Sequence, residues 1–342
     1  MEVCFYSTLK DKGGAARVVN LLSKFLSKKG HIIRHFSEEE NNISFEHKSA
    51  IWHFHTLLNW SNILASLPKK DKIVITAHDF RVFSGGCVFP VNCVQWEQKC
   101  ENCPQQIFNA TKIFEFQKKI LFSIKPLIIV PSNWLKKILK KIMPWLKVKV
   151  IPNGVEVEYI HPQFDLLRYK QKLVLFVAHG GLKAGFKGGG SWLSIWNRIK
   201  VEHPDAKGIV IGDVEKKQVQ DVLILPYLSS AAVWKVMERA SLFLYPTLAD
   251  NYPLVILEAM AAGLPVLAYG VGGINEQIDS NKTGFLIEPF SQEDLIKQAI
   301  LLLQHASKLK EVGQLAREKA TKYFSWQKMG YRYLKEYEKL DG

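Results

Sequence analysis

The sequence predicts an α/β protein made of two doubly wound, Rossmann-like domains. Three observations carry this expectation. The chain has 342 residues, which by ordinary domain size suggests two domains. Short apolar runs alternate with helical stretches along its length. The segment from Leu242 to Tyr269 spells a complete strand–loop–helix–strand unit, the parallel βαβ crossover.

Taken in order, Glu2 to Ser7 reads as the first strand. Gly13-Gly14 then leads into a helix that stops at Gly30, and His31 to Phe36 resumes as strand. Ala50 to His55, Lys72 to Thr76 and Leu127 to Pro131 are further apolar runs, completing a first doubly wound domain. Val148-Lys-Val-Ile-Pro152-Asn153-Gly154-Val155 reads as the crossing into the second domain. Leu173 to Ala178, Lys207 to Gly212, Leu223 to Leu225, Leu242 to Tyr245 and Val266 to Tyr269 supply a second parallel sheet. A Tyr-rich helical tail follows Phe324-Ser-Trp326.

The crossover at Leu242–Tyr269 is the most informative stretch. Its helix opens near Pro253 and runs to Gly263, with Pro and Gly as start and stop signals. Asp250 stands in the loop and Glu258 on the helix, in the spacing Asp250-x7-Glu258. The helix start aims N–H groups around Tyr252, Pro253 and Leu254 at whatever sits above the loop, and such a terminus favours phosphate. One carboxylate is then placed for sugar hydroxyls, the other for ribose hydroxyls, with a diphosphate between them. That division of work fits a nucleotide sugar.

The stretch Pro246-Thr-Leu-Ala-Asp250-Asn251-Tyr252-Pro253-Leu254-Val-Ile-Leu-Glu258-Ala-Met-Ala-Ala-Gly-Leu-Pro265-Val resembles the Glu-x7-Glu motif of the retaining glycosyltransferases of family 4. Here Asp250 replaces the first Glu, and Asn251-Tyr252 replaces Gly-Phe. The resemblance covers nearly the whole chain and is strongest from Ile151 to Pro289. It implies the GT-B fold, two Rossmann-like domains facing across a cleft. It divides the chain into an acceptor-side domain at 1–151, a nucleotide-sugar domain at 152–325, and a helix at 326–342 that returns to the first domain. It implies transfer with retention, without a catalytic metal or other catalytic cofactor.

Site residues follow from the same resemblance. Gly14 matches a loop glycine that touches the donor, and His78, at the end of a strand, matches a histidine near the reacting centre. Lys187 matches the cation that neutralises the leaving diphosphate. An arginine that often precedes it is replaced by Gly181, and Lys183 is the candidate substitute. His78, Asp250 and Lys187 are thus the expected catalytic residues. Gly14, Lys183, Lys187, Asn251, Tyr252, Pro253, Leu254 and Glu258 are the expected donor contacts. His53 and His55 share a strand face and either line the acceptor side or cap the sheet.

Four cysteines cluster as Cys87-x5-Cys93-x6-Cys100-x2-Cys103 in an insertion at 85–104. Their spacing allows a closed structural Zn2+ site, two disulfides or free thiols. A closed four-sulfur site leaves no open position for catalysis.

Lys and Arg number 46 against 32 Asp and Glu, a net +14. This favours polyanionic partners. In Trp134 to Met143 apolar and lysine pairs alternate every four residues. On a helix this gives one apolar and one cationic face, a pattern suited either to an anionic membrane surface or to a sheet with lysines in solvent. No apolar run is long enough for a transmembrane helix, and the N-terminus enters a strand directly. The expected location is cytoplasmic, peripheral on the inner membrane face, with a glycan or lipid-linked acceptor. The rival readings are a glycosyltransferase acting on nucleic acid and a degenerate glycan-binding protein.

Overall fold

A computed structural model describes residues 1–8, 10, 13–38, 50–67 and 72–342. Residues 9, 11 and 12 of the glycine-containing loop lie outside the described residues. The fold class is as the sequence predicts: α/β, with two parallel sheets. Two compact units contain them, Met1–Asn153 with Trp326–Gly342, and Gly154–Ser325.

The first unit holds β1 (Glu2–Ser7), α1 (Gly13–Lys28), β2 (Ile32–Ser37), β3 (Ile51–Phe54), α2 (Trp60–Ser66), β4 (Lys72–Thr76), α3 (Ala110–Ile124), β5 (Leu127–Val130), α4 (Asn133–Ile142) and β6 (Lys147–Val150). The last helix, α12 (Trp326–Asp341), belongs to it too. The sheet order is β2-β1-β3-β4-β5-β6, and every pairing is parallel. The central strands β3 and β5 are buried throughout, as expected of a sheet covered on both faces. The order turns back at β1, so the carboxyl ends of β1 and β3 flank a switch point, where ligands of such sheets gather.

The sequence predicts Val148 to Val155, which overlaps β6, as the crossing into the second domain. The Lys-Val-Lys-Val alternation of β6, with Val148 buried and Lys147 exposed, instead suits a sheet edge, where lysines discourage further pairing.

In the helix α4 the apolar face docks within the first unit. Ser132 caps it, its Oγ accepting from the Leu135 amide at 3.1 Å. Leu135, Leu139 and Ile142 are buried within the unit, and Trp134 packs edge-on against Phe80 at 5.5 Å. The apolar stripe is spent on the protein's own core. The exposed Lys140 donates to the carbonyls of Pro144 (2.8 Å) and Leu146 (2.6 Å).

The second unit runs α5 (Leu166–Lys170), β7 (Leu173–Val177), α6 (Gly189–Glu202), β8 (Lys207–Asp213), β9 (Lys217–Val219), β10 (Val222–Pro226), α7 (Ser230–Met237), β11 (Leu242–Tyr245), α8 (Leu254–Ala261), β12 (Val266–Tyr269), α9 (Ile274–Gln277), β13 (Phe285–Ile287), α10 (Gln292–Gln304) and α11 (Ala306–Tyr323). Its sheet order is β13-β12-β11-β7-β8-β10-β9. All pairs are parallel except β9 on β10. Neither β9 nor β13 is legible from hydrophobicity, because each is three residues long and lies at an edge. Trp192 and Trp196 of α6 are fully buried and stack 5.6 Å apart, anchoring that helix on the sheet. Burying each large apolar side chain contributes about 1.5–3 kcal/mol. The switch point of this sheet lies between β7 and β11, whose connections leave on opposite sides.

Candidate functional site

The loops that leave β7 and β11 meet at that switch point. After β7 the chain forms a short 3-10 turn at Gly181–Lys183 and reaches α6 through Phe186, Lys187 and Gly188. After β11 it passes Pro246 to Pro253 and enters α8. The two loops are tied together. The Leu248 amide donates to the Phe186 carbonyl at 2.7 Å, and Thr247 Oγ1 donates to the same carbonyl at 3.1 Å. Gly188 makes this approach feasible. Its φ is +82°, and a Cβ there would stand 2.1 Å from the Pro246 carbonyl oxygen.

The tie places two expected site residues in contact. Lys187 Nζ is ion-paired with Asp250 Oδ2. Tyr245, on the last turn of β11, donates its hydroxyl to that same oxygen at 3.0 Å. The Asp250 side chain is 8% exposed, so it is a charge held largely out of water and matched by a cation and a hydroxyl. Burial, and then the negative Asp250, push the Tyr245 hydroxyl well above its ordinary range, keeping it a donor.

Glu258 is a carboxylate on a helix buried on every side. In α8, Leu254, Ile256, Leu257, Ala259, Met260 and Ala261 are all buried, so the helix makes no use of a polar face. Glu258 is 6% exposed and its Oε1 accepts from the indole Nε1–H of Trp234 at 2.7 Å. A buried carboxylate without such donors is costly. The helix ends in a Schellman motif, with Leu264 N–H on the Ala259 carbonyl (2.9 Å) and Gly263 N–H on that of Met260 (3.0 Å). Its start is held by Gln277, whose Nε2 donates to the Pro253 carbonyl at 3.0 Å.

One expectation about this terminus needs correcting. Pro253 has no N–H, so it cannot serve as an amide donor. The amides that open the helix are those of Leu254 and the residues after it. Asn251, Tyr252 and Leu254 are buried at the same turn, and Tyr252 packs edge-on to Phe324 at 6.2 Å.

Lys183 is exposed on the 3-10 turn. No ion pair places it with Asp250. Gly181, where the resemblance leads one to expect arginine, is left-handed (φ +52°), and a Cβ would come within 2.9 Å of the Asp213 backbone, so the position has no room for a side chain.

Gly14 and His78 lie in the first unit. Gly14 is exposed in the first turn of α1. His78 follows β4 and its Nε2 is 2.9 Å from Nδ1 of the buried His55, the rings stacked 5.2 Å apart. Burial lowers the His78 pKa to about 4 and holds His53 and His55 well below the ordinary imidazole range. The sequence assigns no role to Tyr245, Trp234 or Thr247, and it hints at His55 only through the alternation Trp52-His53-Phe54-His55.

Cys87, Cys93, Cys100 and Cys103 line one small cavity with Trp96 and Pro90. Gly85 N–H donates to Cys100 Sγ at 3.2 Å and Gln95 N–H to Cys93 Sγ at 3.3 Å. All four are free cysteines, and burial pushes the Cys87 thiol up to about 11. Among the described residues, no three His, Cys, Asp or Glu side chains are grouped to hold a metal ion.

The second unit's site can be compared with known proteins. Residues 161–319 match the family described as Glycosyl transferases group 1. The matched segment contains Lys187, Asp250 and Glu258. Spore coat protein SA of Bacillus subtilis (strain 168) is 24% identical over 269 residues, covering 68% of this chain and 70% of that protein. Other curated relatives of comparable similarity are matched over only 15% to 46% of their own length.

Two solved structures show the fold. Sucrose-phosphate synthase from Thermosynechococcus elongatus superposes with a TM-score of 0.75 at 16% identity, covering 99% of this chain and 98% of that one. Anabaena Alr3699/HepE in complex with UDP-glucose gives 0.71 at 15% identity, covering 99% and 100%. The chain has the GT-B fold. Among the described residues no helix is long and apolar enough to cross a membrane.

Proposed function

We propose that this chain is a retaining glycosyltransferase that moves a sugar from a nucleotide-sugar donor to a glycan or lipid-linked acceptor. The observation that carries this reading is the Lys187–Asp250–Tyr245 knot at the switch point of the second sheet. It stands beside the start of α8, inside which Glu258 is held by Trp234. The group 1 match over the same residues supports it. So does the UDP-glucose held by the HepE structure of the same fold.

In this reading the second unit binds the donor. The opening amides of α8 face the diphosphate. Glu258 accepts from ribose hydroxyls and Asp250 from sugar hydroxyls. Lys187 gains a second anion as charge grows on the leaving phosphate. A donor aimed at charge that develops only in the transition state lowers the barrier without reorganisation. Transfer in this reading needs no divalent ion. The first unit contributes His78 on the acceptor side.

The acceptor class connects to the charge. The lysine face of α4 meets an anionic membrane by attraction alone, since its apolar stripe is buried. Such contact falls steeply with salt. Sedimentation with anionic vesicles, set against a DNA gel shift over the same salt series, separates a lipid-linked acceptor from nucleic acid.

The test of the main reading is a thermal-shift screen with UDP-glucose, UDP-N-acetylglucosamine, GDP-mannose and the free diphosphates. A ligand that binds only the native state raises the melting temperature. One donor should do so, and Glu258→Ala should abolish its shift. A shift that survives in this variant removes Glu258 from the site. No shift and no diphosphate release with any donor favours a degenerate binding protein instead.

A further inference from the structure

The helix α3 of the first unit carries an aromatic ring that its core does not use. Ala110, Phe114, Gln117 and Leu121 form its buried stripe. Phe122 stands outside this stripe and is 55% exposed. Its ring meets that of Trp145, itself 37% exposed, edge-on at 5.4 Å. Trp145 lies on the turn between α4 and β6. Single exposed apolar side chains are ordinary on a protein surface, whereas rings in contact inside a charged rim are the pattern of an interaction surface.

The rim is cationic. Side chains three and four positions apart are neighbours on a helix, and around Phe122 those positions hold Lys118, Lys119 and Lys125. Lys118 Nζ lies 5.6 Å from the centre of the Trp145 ring, and Lys125 Nζ lies 5.8 Å from that of Phe122, both within cation–π reach. Lys140 comes to the same place from α4, because it donates to the carbonyls on either side of Trp145, those of Pro144 and Leu146. The carboxylate two turns before Phe122, that of Glu115, is matched by Lys99 at 3.3 Å. Charge of one sign therefore surrounds the two rings.

We propose that the Phe122–Trp145 pair and the lysines around it form a docking surface for an anionic lipid bilayer, in which the two rings enter the headgroup layer and the lysines meet lipid phosphates. Lysine stems are long and apolar, so the ammonium groups stay at phosphate level while the rings sit deeper. A protein partner would have to supply a carboxylate for each cation around one small apolar spot. An anionic bilayer supplies phosphate in every direction of one plane, with an apolar layer beneath it. The surface differs in kind from the lysine face of α4. That face only attracts, whereas the rings add a contact that salt does not screen. The docking stands on this geometry alone, and its use in reaching a lipid-linked acceptor rests on the function proposed above.

The test uses the whole chain with vesicles of phosphatidylcholine mixed in equal parts with phosphatidylglycerol, with and without brominated acyl chains. The wild type should sediment with them, and part of this binding should persist at high salt. Trp145→Phe keeps a ring and should still sediment, but bromine should quench its tryptophan fluorescence far less than that of the wild type. Phe122→Ser with Trp145→Ser should weaken binding roughly tenfold or more, because two rings lose their burial in lipid. Lys118→Gln with Lys125→Gln should weaken it roughly 10- to 30-fold at low salt and much less at high salt. Equal quenching in the wild type and Trp145→Phe overturns the proposal, since Trp145 then never reaches the acyl chains. That comparison decides even if the serine pair fails to fold. Binding that the folded serine pair retains in full, or that high salt abolishes completely, overturns it too, because attraction alone then suffices. A wild type that ignores vesicles overturns it as well; a dimer lost in Phe122→Ser would then assign the surface to a second copy of the chain, and a DNA gel shift lost in the glutamine pair to nucleic acid. No readout involves sugar transfer, so this surface and the donor reading stand or fall separately.

Discussion

Lys187 and Asp250, 63 positions apart in sequence, form an ion pair at the carboxyl ends of two neighbouring strands. The pair joins the glycine-rich loop after β7 to the loop after β11. Tyr245 braces it from below through the same Asp250 oxygen. Neither residue is fully in water, so each depends on the other.

The first prediction follows from that dependence. Under the proposed function, Lys187→Met should lower kcat by roughly 10²–10³, the usual effect of losing one transition-state donor. It should also destabilise the fold, because Asp250 is left with only Tyr245 and its remaining contacts. Lys187→Met with Asp250→Asn should be more stable than the sum of the two single changes. Urea unfolding of all four proteins measures the coupling, which for contacting charges is about 0.5–3 kcal/mol.

Trp234→Phe removes the indole donor from Glu258 while keeping most of the ring volume. A buried acceptor left short of a partner costs about 1–3 kcal/mol. The melting temperature should fall, and affinity for the nucleoside diphosphate should fall with it. Calorimetry separates the two effects. Unchanged affinity would mean that the indole serves packing alone.

The histidine chain predicts an acid limit. His53, His55 and His78 hold their protons less tightly when folded than when unfolded, with His78 at about 4. The unfolded imidazoles titrate near 6.5, so between these values the unfolded chain binds more protons. Stability should be level above about pH 6.5 and should decline as the pH falls from there toward 4. Denaturant midpoints at several pH values check this. A stability that rises on acidification through this window contradicts the buried, neutral chain.

Gly188→Ala should be damaging although it adds one methyl group. The position is left-handed, and the new Cβ would meet the Pro246 carbonyl at 2.1 Å. The two loops would have to part, disturbing Lys187 and Asp250 together. Both melting temperature and turnover should drop. Gly185→Ala, where a Cβ meets nothing within 4 Å, is the matched control.

The sequence alone determined the class of fold and singled out the loop proposed to hold the donor. Strands β1, β4, β11 and β12 are contiguous apolar runs closed by turn residues, and such local patterns are readable because each run buries both faces. Asp250 and Glu258 were legible through one continuous motif. Tertiary structure alone decided what those groups touch. The partners of Asp250, Glu258 and His78 arrive from β7's loop, from α7 and from the end of β3. No local pattern encodes a hydrogen bond across the sheet. The same holds for α4, whose two-faced sequence suits a membrane and a sheet equally. Only the packing of Leu135, Leu139 and Ile142 showed that its apolar side was already occupied, because burial is a property of what surrounds a helix and not of the helix itself.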